Sequence, residues 1–157
     1  MTSDCLNSIF RHLQPLAEAA NIIQSAFCQL DMVLLTFGYL IVVYKTMTDP
    51  DDLPGYQAII ESIEHRWAKS DQEIFIAAMI LNPFYRREPL AATPLFNNAG
   101  ILALLARVFK RVYKTATVPQ EFYTELSNYL NLQDTFSNLK LQLHIETNMA
   151  ASSVIFF

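Results

Sequence analysis

Between Ile59 and Pro83 two helical patterns abut with almost no linker, and this junction constrains the fold more than any other stretch of the chain. Ile59, Ile60, Ile63 and Trp67 recur at helical spacing, while Glu61, Glu64, His65 and Lys69 fall largely elsewhere around the helix. The spacing predicts an amphipathic helix with one buried stripe, which Trp67 closes as a core residue. Ser70 followed three residues later by Glu73 has the form of a capping box, so a second helix is predicted to start there. It runs through Ile74, Phe75, Ala77, Ala78, Met79 and Leu81. It ends near Asn82, because Pro83 disfavours a helical conformation in the residue before it.

Similar patterns flank this pair. From Leu6 to Phe27, the residues Ile9, Leu13, Leu16, Ala20 and Ile23 keep helical spacing around Pro15, which predicts a kinked helix or two short ones. The next helix, about Leu30 to Met47, is apolar on every side and is predicted to lie in the middle of the packing. Its apolar run, Met32 to Tyr44, has 13 residues between Asp31 and Lys45. A spanning helix needs about 18 to 20, so the run reads as a core helix and no membrane partner is predicted. Thr48 to Gly55 concentrates turn formers and predicts a surface loop, and Arg86 to Phe96, punctuated by Pro89 and Pro94, predicts another. Asn97 or Asn98 caps a helix through about Lys114, with Ile101, Leu104, Leu105, Val108 and Val112 on its apolar face. Thr117 and Gln120 form a second capping box with Pro119 in its first turn, opening a helix that carries Phe122, Leu126, Tyr129 and Leu130. The segment from about Thr135 to Ala151 reads as helical, although Leu139, Leu141, Leu143 and Ile145 alternate with polar residues and could pair as a short strand. The fold class predicted is all-α, an irregular helical bundle of about six to seven helices in one domain over residues 1–157.

Composition agrees with long helices around a large buried surface: 52% of residues are hydrophobic, 17% are charged, and only three are glycine. Burial is supplied either within the chain or by sequence outside it, and the apolar end Ser152 to Phe157 predicts either docking on the core or a chain cut short. Residues 1–84 carry four Lys or Arg against ten Asp or Glu, a balance of −6; residues 85–157 carry seven against five, a balance of +2. An acidic first half therefore precedes a mildly basic second half. Cys5 and Cys28 lack partners at metal spacing and read as reduced, buried thiols of an intracellular protein. The N-terminus shows no signal-peptide pattern.

Few residues are arranged for chemistry. Asp49, Asp51 and Asp52 cluster in a turn without the glycine and terminal glutamate of a calcium loop. Glu61 and His65 stand one helical turn apart without a third ligand. His12 and His144 have no sequence partners, and no Ser, Cys or Thr lies in a nucleophile context. No catalytic residue, metal site, cofactor or small-molecule substrate is predicted. Arg107, Lys110, Arg111 and Lys114 follow an i, i+3, i+4, i+7 spacing that puts four positive charges on one helix face able to track phosphates. Arg86 and Arg87 could extend that patch. The same cations also suit an ordinary solvated helix end, where the helix dipole favours positive charge.

Four segments together resemble the hAT-type transposases: HLQPLAEAANIIQSA at His12–Ala26, LDMVLLTFGYL at Leu30–Leu40, IESIEHRWAKSDQEIFIAAMILNPFYR at Ile60–Arg86, and LFNNAGILALLARVFKRVY at Leu95–Tyr113. The specificity lies in their order and spacing. The resemblance implies the helical region inserted between the second and third catalytic carboxylates of an RNase H-like domain, so that this chain holds the insertion and not the active site. Nothing matches the family's zinc-finger domain, the cysteine-histidine motif near its second aspartate, or the serine-glutamate-arginine stretch bearing its third carboxylate. Its base-stacking tryptophan also belongs to a different motif, which leaves Trp67 in the core. A noncatalytic transposase-derived fragment follows, contributing to DNA binding or assembly, with DNA and the remainder of a transposase as partners and the nucleus as compartment. The alternative is a helical protein–protein interaction module with no nucleic-acid role.

Overall fold

The computed structural model describes residues 2–90, 93–139 and 143. Among them the chain is all-helical: α1 (Thr2–Ile23), α2 (Leu30–Thr46), α3 (Leu53–Lys69), α4 (Gln72–Leu81), α5 (Asn98–Tyr113) and α6 (Gln120–Asn131), with 3-10 turns at Glu88–Leu90, Pro94–Phe96 and Asp134–Phe136. The chain forms two compact units, Met1–Ala78 and Met79–Phe157, whose boundary falls inside α4. The strand alternative around Leu141 and Ile145 lies outside the described residues, and the described Leu139 and Leu143 are helical.

In the first unit α2 packs against both α1 and α3, the central place its all-round apolar character predicts. Ala19, Leu40, Tyr44, Tyr56 and Ile63 form the core, with Leu16, Phe37, Ile41, Met47, Ile59 and Ile60 around them. Trp67 contacts the rings of Phe37 and Phe75 at centroid distances of 5.7 and 5.8 Å, as a packing residue. Pro15 does not divide α1, which stays helical for 22 residues. Proline removes the N–H that would reach the Arg11 carbonyl. In the same turn the buried Tyr44 hydroxyl donates to the His12 carbonyl oxygen at 2.6 Å.

α3 begins inside the stretch predicted as a loop, because Pro54 sits at a first-turn position that needs no backbone donor. The side chain of its cap residue, Asp52, makes no capping bond to a backbone N–H of the helix. The carboxylate turns to α1 instead. It accepts from the Ser8 hydroxyl and the Tyr56 hydroxyl and pairs with Arg11 at 3.0 Å. At the next junction Ser70 ends α3 and donates back to the Arg66 carbonyl oxygen, and α4 starts at Gln72. The boundary predicted from Ser70 is there, but the serine closes the helix before it.

The second unit turns on Arg86. Asn82 and Pro83 end α4 as predicted, and the Asn82 side chain accepts from Phe84 N at 2.9 Å to start a tight turn. That turn leaves Arg86 at φ 51°, the left-handed region, and buries it to 7% exposure. Its guanidinium donates to the carbonyls of Leu130 at 2.7 Å and Tyr129 at 3.3 Å, at the C-terminal end of α6, and lies 5.7 Å from the Tyr129 ring centroid. The Tyr129 hydroxyl returns to the Ile80 carbonyl at 2.9 Å. Burial raises the Tyr129 phenol above its ordinary value, with Arg86 opposing the shift.

The capping box predicted at Thr117 does not form. α6 starts at Gln120 after Pro119, whose extended backbone (ψ 149°) is the cap. Val118 precedes a proline and so resists the helical conformation that a cap at Thr117 would require.

Two outcomes are expected. Arg86→Ala should cost about 2 kcal/mol by leaving the Leu130 carbonyl without its donor and weakening the hold on that of Tyr129. Arg86→Gly should cost about 1 kcal/mol less, since glycine relieves the left-handed backbone; denaturant titration of both variants checks the difference. The Asp52 carboxyl is held below its ordinary value, first by the Ser8 hydrogen bond, then by Tyr56, Arg11 and His12, with burial opposing. Its stabilising effect is therefore complete above the unfolded carboxyl's pKa of about 3.9 and is lost as pH falls through the lower folded value. Denaturation followed across this acid range should show a shallower loss in Asp52→Asn than in the parent chain.

Candidate nucleic-acid interface

α5 is set by its two ends. Asn97 takes an extended conformation and its side chain accepts from Gly100 N at 2.8 Å, as the capping pattern predicts. Gly100 is required by close approach: a Cβ there would collide with the Leu95 carbonyl oxygen of the preceding 3-10 turn. Ile101, Leu104, Leu105, Ala106 and Val108 are buried. Val112, predicted to continue that face, is exposed. At the far end Lys114 adopts φ 51°, and the N–H groups of Lys114 and Thr115 both reach the Lys110 carbonyl. This is a left-handed helix cap built on a lysine.

Arg107, Lys110, Arg111 and Lys114 are all exposed. Their spacing sets them along one side of the helix over about 10 Å of its axis. That length matches the axial span of about four phosphates on one strand. Beside them stands Tyr113, 68% exposed and three residues from Lys110. Its ring stacks on Phe109 at 4.5 Å, and Phe109 contacts Phe122 of α6 at 4.9 Å. Spacing alone does not distinguish Tyr113, because an aromatic at that position reads equally well as core.

Arg86 and Arg87 do not extend the stripe. Arg86 is buried against α6, as described above. Arg87 donates to Asn98 Oδ1 in the first turn of α5, at the end of the helix opposite the four cations.

The remaining candidates resolve into local structure. Arg11 pairs with both Asp49 and Asp52, and Asp49 also accepts from Asp51 N. Glu61 and His65 are exposed on α3. Among the described residues no group of three His, Cys, Asp or Glu could hold a metal ion, and no helix is long and apolar enough to cross a membrane. Cys28 is a half-buried free thiol; the Cys5 side chain and His144 lie outside the described residues.

Ser8, His12 and Asp52 do converge, a grouping that 44 residues of separation hid from the sequence. Their connectivity is not that of a nucleophile. The serine donates directly to the carboxylate, while His12 Nδ1 bonds the Ser8 carbonyl at 2.7 Å and its ring stacks on Tyr56 at 4.5 Å. A relay needs the imidazole between hydroxyl and acid.

Among the described residues the chain is all-helical, and α5 exposes a row of four cationic side chains. The chain matches no family model, no curated protein and no solved structure.

The fit of Gly100 to the Leu95 carbonyl can be checked. Gly100→Ala should lower stability by about 1 to 3 kcal/mol, since backbone rather than a flexible side chain must yield. Thermal melting followed by far-ultraviolet circular dichroism measures it.

Proposed function

We propose that this chain is a noncatalytic helical module of the hAT transposase type, the insertion of an RNase H-like enzyme, and that the C-terminal half of α5 contacts DNA phosphates. The observation that carries the proposal is the joint exposure of Arg107, Lys110, Arg111 and Lys114 on one helix side. The ordered segments that resemble hAT-type transposases support it, and a nuclear site of action follows from that reading. The chain's net charge of −4 confines attraction for a polyanion to this local stripe. Tyr113, backed by Phe109, adds a surface on which an unpaired base can stack.

The alternative function, a helical protein-interaction module with no nucleic-acid role, is favoured by one observation: α1 exposes Leu6, Ile9, Phe10 and Leu13 together.

Binding to duplex DNA should weaken about 100-fold between 50 and 200 mM salt if four phosphates are neutralised. Charge reversal at Arg107, Lys110, Arg111 and Lys114 should abolish both the binding and its salt dependence. Tyr113→Ala should weaken single-stranded binding by about 1 to 3 kcal/mol and leave duplex binding nearly unchanged. Fluorescence anisotropy at several salt concentrations reads all three. Duplex binding that survives the charge reversal would remove α5 from the interface.

A further inference from the structure

We propose that the outer face of α1 pairs antiparallel with the same face of a second copy of this chain, with the two-fold axis at Leu13. The pairing deepens the interaction-module function above and is independent of DNA contact by α5.

Leu6, Phe10 and Leu13 are 66%, 64% and 57% exposed, and Ala17 and Ala20 are exposed one and two turns further on. Their alternating spacing of four and three residues draws a single stripe along about 21 Å of helix. Ile9 flanks it and is also exposed. Among the described side chains no charge enters the stripe. The side chain of Arg11 is held by Asp49 and Asp52, and that of Glu18 by Tyr39 and Gln14.

The occupant follows from the order of sizes along the stripe. Large residues stand at its N-terminal end and alanines at its C-terminal end. Reversing a second copy about Leu13 brings Leu6 over Ala20 and Phe10 to within about 1.5 Å of Ala17 along the axis, so bulk meets space on either side of the central Leu13 pair. A parallel pair would set Phe10 on Phe10 and leave the alanines facing a gap, which close-packed interfaces avoid. The alanines also allow helix axes to approach to about 8 Å. The large side chains expose on the order of 500 Å² per copy, the upper range for a patch on a monomer. Two copies would bury about 1,000 Å², the lower limit for a specific interface, so the dimer is weak and depends on concentration.

The test is sedimentation velocity of the whole chain from about 1 μM to about 1 mM. The parent chain should pass from monomer to dimer across this range. Leu13→Lys sets two like charges against each other on the axis and should stay monomeric with unchanged circular dichroism, because Leu13 is an exposed position. Register is read by cross-linking on a Cys5→Ser, Cys28→Ser background. Leu13→Cys alone should form a disulfide dimer, and Leu6→Cys should couple to Ala20→Cys more readily than to itself. A parent chain that remains monomeric throughout would overturn both the pairing and self-association as the form of the interaction-module function. A dimer that persists in Leu13→Lys, or preferential coupling of Leu6→Cys to itself, would overturn the antiparallel α1 pairing while leaving an interaction through another surface.

Discussion

The guanidinium of Arg86 organises the second unit. A cation taken out of water needs oxygen acceptors, and the last carbonyls of a helix supply them where the peptide dipoles also favour positive charge. Arg86 reaches those of α6, Tyr129 packs beside the cation, and the Tyr129 hydroxyl goes on to the Ile80 carbonyl. One side chain thus joins the end of α4, the turn after it and the end of α6. The left-handed backbone at Arg86 is the strain that this arrangement tolerates. Its Nε is buried without a hydrogen-bond partner, so the clamp is held through Nη2.

The first unit applies the same rule with opposite sign. Asp52 arrives at the start of α3 already supplied with donors by α1 and by Tyr56. Satisfying that carboxylate decides which way α1 faces. Ser8, Arg11 and His12 must point toward the junction, and Pro15 and Ala19 follow them inward. Leu6, Phe10 and Leu13 are then turned to the outside. The polar tie and the exposed apolar stripe are consequences of one rotation of the helix.

This rotation also marks where the amino-acid pattern stops being informative. Apolar spacing reveals that a segment is helical and that α2 is central, because both depend on neighbours along the chain. It does not say which face of α1 is inward. Ile9, Leu13, Ala20 and Ile23, spaced as a buried stripe, are exposed because the deciding partner lies some forty residues away. Caps divide in the same manner. Asn97 acts as its local pattern predicts, whereas the Thr117 pattern is overruled by Val118-Pro119 and the Ser70 hydroxyl turns back to the helix before it. Among the cations, the spacing on α5 survives intact, while Arg86 is claimed by carbonyls more than forty residues further along.

The α5 stripe divides at the last turn of the helix. The dipole at a helix C-terminus acts within its last turn, which accounts for Lys110 and Arg111 and for the capping lysine at 114. Arg107 lies a full turn earlier, on the same side and exposed, where that benefit has faded. A chain whose first half is strongly acidic gains solubility from negative charge and has no need of a cationic row for it. The row thus reaches a turn further into the helix than the dipole acts, with a stacked and exposed tyrosine alongside, and the proposed phosphate contact would use both.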